Sequence, residues 1–251
     1  MHRLLAILLV LLMTLAGGPA RADTIKVLTT GAFKQVLMAM VPAFEASTGH
    51  KVQVQNDTAG ALVRRVDAGE TFDLIVLTPG GLKPLAERGK VEAASVRPLA
   101  RAAIGVAIMS GRPAPPLTSV EDFKQAVLAA RKVAYIDPAA GGSSGIYLDG
   151  LFQRLGLADA VRAKAVLVPG GLVAERLVNG EADLAIHQIS EILPVQGVTL
   201  VGPLPEAIQN YTTYAGAVAA QAPDAARAFL NTLTSTQADA VIRAKGMLPA
   251  R

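Results

Sequence analysis

The chain has 251 residues, 24 Lys and Arg against 20 Asp and Glu, a formal charge of +4, and no cysteine. Without cysteine it can have no disulfide framework, no thiolate metal site and no lipid-modified cysteine near its start. The charge is mild, the six Phe and four Tyr are scattered, and there is no basic run. Nucleic-acid binding is therefore not expected.

Met1-His2-Arg3 is a basic start, residues 4–15 are apolar, and Ala20-Arg21-Ala22 has the small-x-small form of a cleavage site. Residues 1–22 are expected to be a secretory signal peptide, which places the mature chain in a bacterial periplasm. Removing Arg3 and Arg21 takes the formal charge from +4 to +2.

Residues 25–28 read as a strand running into Thr29-Thr30-Gly31-Ala32. A helix is predicted next, because Phe33, Val36, Leu37, Met40, Val41 and Phe44 recur at i, i+3, i+4, i+7, i+8 and i+11. Gly49 caps it, and residues 51–55 alternate as a second strand. Thr58-Ala59-Gly60 then opens a helix through Leu62, Val63 and Val66, and residues 73–77 form a third strand. Thr78-Pro79-Gly80-Gly81 is expected to be a loop. Residues 104–109 read as a strand and 112–116 as an irregular link.

The rhythm returns in the second half. A strand at 133–136 is stopped by Asp137-Pro138, and Ser143-Ser144 precede a helix with Tyr147, Leu148, Leu151, Phe152 and Leu155 on one face. Residues 165–168 form a strand ending at Pro169-Gly170-Gly171, followed by a helix through Leu172, Val173 and Leu177 and a strand at 183–188. Further strands are predicted at 198–201 and 213–219, and helices at 224–233 and 237–244. This alternation marks an α/β protein with parallel sheets.

Four turns of small residues begin helices: 29–32, 58–60, 143–145 and 170–171. In open α/β sheets such turns gather at the carboxyl ends of strands, where backbone N–H groups and helix dipoles bind anions. The predicted ligand-binding residues are Thr30, Gly31, Ala32, Thr58, Ala59, Gly60, Ser143, Ser144, Gly145, Gly170, Gly171 and Gln188. No metal site, cofactor or catalytic residue is expected.

The order and spacing of KVLTTGAFKQVLMAMVPAFEASTGHKV, ALVRRVDAGETFDLIVL, DPAAGGSSGIYLDGLFQRLG, NGEADLAI and the closing LNTLTSTQADAVIRAKGMLPA resemble the molybdate-binding family of periplasmic solute-binding proteins. The resemblance implies a two-lobed, type II periplasmic binding fold, each lobe a mixed sheet flanked by helices. It also implies a monomer that closes on a small anion and hands it to an ABC permease. Lobe 1 would take residues 23–104 and 214–251, and lobe 2 residues 105–213, with crossings near 103–107 and 212–216.

The family usually presents a serine where this chain has Ala32, a serine-rich turn where it has Thr58-Ala59-Gly60, and a tyrosine where it has Gln188. These departures favour a small organic carboxylate alongside a molybdate-like oxyanion, with Arg64 or Arg65 as a bidentate partner. Two alternatives compete. One is a periplasmic sensor of the same fold. The other is a serine hydrolase, because Gly141-Gly142-Ser143-Ser144-Gly145 satisfies G-x-S-x-G and Asp183 and His187 follow in hydrolase order.

Overall fold

In the computed structural model the described residues are 22–250, so the expected signal peptide lies outside them, apart from Ala22 at its end. Among the described residues no helix is long and apolar enough to cross a membrane.

Strand β1 (Thr24–Thr30) leads directly into helix α1 (Gly31–Thr48), which stops at Gly49 in the left-handed conformation that a glycine adopts without strain. Then come β2 (Lys51–Asp57), α2 (Ala59–Asp67), β3 (Leu74–Leu77) and α3 (Pro79–Glu87). The expected loop at 78–81 is thus the start of a helix. Pro79 sits in its first turn, where a missing N–H costs nothing, and the Thr78 side chain accepts from the Gly81 N–H. The long strand β4 (Arg97–Met109) is followed by α4 (Val120–Ala129), which has a full capping box between Ser119 and Asp122. The second half contains β5 (Val133–Ile136), α5 (Ser143–Arg154), α6 (Ala158–Arg162), β6 (Ala165–Val168), α7 (Glu175–Val178), β7 (Leu184–Gln188) and α8 (Ile189–Ile192). It closes with β8 (Val198–Pro203), β9 (Tyr211–Val218), α9 (Asp224–Leu233), α10 (Thr236–Ala244) and β10 (Met247–Pro249).

The strands run in the order β2-β1-β3-β9-β4-β7-β5-β6, with β8 and β10 also paired to β4. At each end three strands are parallel, β2-β1-β3 and β7-β5-β6. Between them β4 changes partners: Arg97–Ala103 pairs with β9, and from Ile104 onward the strand pairs with β7 and β8. The return passage lies between Pro203 and Tyr211, upstream of the expected 212–216, because all of β9 is hydrogen-bonded into the first sheet.

Strand alternation explains the packing on both faces of each sheet. Ile25, Val27, Leu74 and Val76 point to one side, beside Phe33, Phe44 and Phe229, whereas Leu28, Ile75 and Leu77 point to the other, beside Leu62 and Leu85. In the second sheet Val133 and Tyr135 join Phe123, Leu148 and Phe152, while Ala134 and Ile136 join Val173 and Leu177. The carboxyl ends of β1, β2, β5 and β7 are left facing one cleft.

Candidate functional site

The cleft is narrow, with a cavity of about 30 Å³, and its walls come from both sheets. Thr30, Gly31 and Ala32 come from the β1–α1 junction, and Asn56, Asp57, Thr58 and Ala59 from the β2–α2 turn. Opposite lie Ile136, Gly142, Ser143, Ser144 and Gly171, with His187, Gln188, Glu191 and Tyr214 forming the floor. At the start of α1 and α5 the first N–H groups have no intrahelical acceptor, so both helices present donors and positive dipole ends to the cavity.

Three expected site residues do not line the cleft. A Cβ on Gly145 would lie 2.2 Å from the Ile136 carbonyl oxygen, so this glycine lets α5 pack on β5. Gly60 donates its N–H to the Gly141 carbonyl at 3.0 Å, closing one side of the cleft. Gly170 is not among the lining residues, although Gly171 beside it is.

Thr58 lines the cleft, but its hydroxyl is committed: it accepts from Ala61 N–H at 3.2 Å and donates to the Ala140 carbonyl at 2.6 Å. It is a cap and a latch, and not the free donor the sequence suggested. Neither arginine lines the cavity. Arg65 is held by Glu70, Asp57 and Gln55, and Arg64 reaches toward the Ala140 carbonyl at 3.4 Å.

Ser143 is better placed. Gln188 Nε2 lies 3.2 Å from its Oγ and donates to Tyr214 OH at 2.7 Å, while the two hydroxyls are 3.2 Å apart. When Ser143 accepts from both neighbours, its own proton points into the cavity. Four buried polar atoms have no partner among the described residues: Thr30 Oγ1, His187 Nδ1, Gln188 Oε1 and Ser190 Oγ. Buried polar atoms are rarely left this way, and three of these belong to residues that line the cavity.

The hydrolase triad does not form. Ser143 is bonded to Tyr214 and Gln188, and Asp183 is held by Arg131 at 2.8 Å and by the Lys132 N–H at 3.0 Å. His187 pairs with Glu191 at 3.2 Å, Nε2 to Oε2.

Glu191 is the residue that the sequence reading missed. It is 8 % exposed and His187 1 %, yet both line the cavity. Its second oxygen, Oε1, occupies the space above Gly31, where a Cβ would sit 2.2 Å away. Desolvation raises the Glu191 carboxyl well above the carboxylate range and lowers the His187 imidazole well below its usual value. Each shift favours the uncharged form of its group, a proton on the carboxyl and a neutral ring. The available signal was a carboxylate four residues after a histidine within the run LAIHQISEI.

The sequence model of the family described as bacterial extracellular solute-binding protein matches residues 25–248. A Pseudomonas protein named aconitate isomerase is 34% identical over 252 residues, covering 97% of this chain and 94% of the relative. The periplasmic molybdate-binding protein of Azotobacter vinelandii superposes with a TM-score of 0.75 at 20% identity, covering 90% of this chain and 100% of the other. The sulfate-binding protein of Mycobacterium tuberculosis superposes with a TM-score of 0.72 at 20% identity, covering 91% and 87%. These two likenesses are of fold. The chain belongs to the bacterial extracellular solute-binding protein family.

Proposed function

We propose that the chain captures a small organic acid, a di- or tricarboxylate of the aconitate class, between its two sheets in the periplasm. As a monomer it then presents the bound acid to an ABC permease. The observation that carries this reading is the buried Glu191–His187 pair on the floor of a cleft whose lining includes no lysine or arginine and one other carboxylate, Asp57. A protonated Glu191 carboxyl would not repel a ligand carboxylate, and the helix N-termini take up the ligand's negative charge. The name of the 34% identical relative supports an organic acid in the same direction.

A second reading has its own support. The relative is named an isomerase, and the buried His187–Glu191 pair is more than a receptor needs. On this reading the acid is converted as well as held.

The test is a thermal-shift and calorimetric panel of aconitate isomers, saturated tricarboxylates, molybdate, tungstate, sulfate and phosphate. A ligand at about a hundred times its Kd should add about 2.7 kcal/mol of stability. Stabilisation by carboxylates and not by molybdate is expected. A response confined to molybdate and tungstate would overturn the organic-acid reading.

A further inference from the structure

We infer that Glu191 and His187 move a proton to and from carbon on an unsaturated carboxylate bound in the cleft, shifting its double bond. This rests on the organic-acid reading above and adds a reaction to it.

The geometry assigns the two carboxyl oxygens different neighbours. Oε1 faces the space over Gly31 at the start of α1, and Oε2 lies 3.2 Å from His187 Nε2. A buried carboxyl and imidazole kept for packing alone would be replaced at little cost by apolar side chains. Here the pair borders a cavity, no lysine or arginine lines that cavity, and His187 Nδ1 has no partner. The other titratable groups on the lining are Asp57, whose carboxylate accepts from the Thr58 N–H and faces Arg65, and Tyr214, bonded to Gln188. Neither is bonded to the pair. Gly31 completes the arrangement, since any side chain there would occupy the place of Oε1.

The reaction balances without an oxidant or reductant. The substrate carries a CH₂ between a carboxylate and a carbon–carbon double bond. A lone pair on Glu191 Oε1 takes one CH₂ proton, while the proton on Oε2 passes to His187 Nε2. The C–H electrons form a new double bond, and the old double bond delocalises onto the far carboxylate as a dienolate. Its charge is met by the N–H groups opening α1 and α5 and by the imidazolium. Returning the Oε1 proton to the distal carbon and the Nε2 proton to Oε2 regenerates the pair. In aconitate both ends bear carboxylates, so the shift restores the same constitution and can exchange the cis and trans forms. Glu191 touches the reacting carbon, and His187 acts as its proton store.

The experiment follows aconitate with the purified chain in D₂O by proton NMR, with calorimetry run beside it. The wild type is expected to bind aconitate, incorporate deuterium at carbon and convert one isomer into the other. Glu191→Gln keeps a neutral floor and should bind within severalfold, while exchange falls by at least about 100-fold. His187→Gln should lower the exchange rate and change its pH profile with little change in KM. Absence of carboxylate binding would sink the organic-acid reading, and this one with it. Binding by the wild type with neither deuterium incorporation nor conversion between isomers refutes proton transfer alone, since direct return of the abstracted proton converts isomers without exchange. Exchange that survives in both variants refutes the assignment to this pair.

Discussion

Replacing Glu191 by Gln tests the electrostatic state of the floor directly. The amide has nearly the shape of the protonated carboxyl but cannot ionise. Because burial raises the Glu191 pKa, the folded chain keeps this proton where the unfolded chain, at its ordinary value of 4.5, has lost it. The contribution to stability is therefore complete below 4.5 and fades as pH rises through the folded pKa. Relative to wild type, Glu191→Gln should gain about 1.4 kcal/mol for each pH unit above 4.5 until that point is reached. Between pH 5 and 7 this is about 3 kcal/mol, or roughly 6–12 °C in Tm for a chain of this size. Thermal unfolding of both proteins across pH gives the difference curve, in which groups not coupled to Glu191 cancel and His187, 3.2 Å away, does not. Parallel curves would show that the carboxyl titrates normally. A loss by Glu191→Gln as pH rises would show a charged His187–Glu191 ion pair. His187→Gln should behave as the mirror image. Burial lowers the imidazole, so its contribution is present above 6.5 and is lost as pH falls through the folded pKa.

Other substitutions test the walls of the cleft. Thr30 precedes α1 but its hydroxyl makes no capping bond, so Thr30→Val should leave Tm unchanged or higher while ligand affinity falls about tenfold by calorimetry. A lower Tm with unchanged affinity would mean that the hydroxyl serves the fold. Gly60→Ala puts a Cβ 2.8 Å from Gly141 Cα, backbone against backbone, so it should hold the latch open. Affinity should drop at least tenfold, scattering should show a larger radius of gyration, and Tm of the free protein should barely move, since alanine suits α2. Gly31→Ala should destabilise the wild type, because its Cβ meets Glu191 Oε1, and should do so less in a Glu191→Ala background. A double-mutant cycle with coupling below about 0.5 kcal/mol would refute that contact.

The parts of the molecule that were legible in the sequence share a short range. The strand-forming runs at 25–28 and 133–136, the alternation at 51–55 and the i, i+3, i+4 spacing after Phe33 and after Ser143 depend on neighbours within one element, and these elements form as read. Small residues at Thr30-Gly31-Ala32 and Ser143-Ser144 showed where strands deliver the chain to helices, which is why these turns meet at one cleft. Pro79 misled because a proline punctuates a loop and the first turn of a helix equally well. What each side chain does in the cleft was not legible, because the partners are remote. Thr58 spends its proton on Ala140, 82 residues away, and Ser143 meets Tyr214 across 71.

The pair on the floor was hidden for a different reason. Asp183 and His187 share one strand and suggested a triad, whereas the carboxylate that reaches His187 lies beyond the strand's end, carried by a single turn of helix against α1. Gly31 has the same double meaning. Read locally, a glycine after Thr30 is an anion-binding turn. In the fold its missing side chain is the space that admits Glu191. A fold that holds anions with neutral donors needs only the first role. On the proposed reading the second places a removable proton beside the ligand's charge, and that separates a cleft able to act on its ligand from one that only holds it.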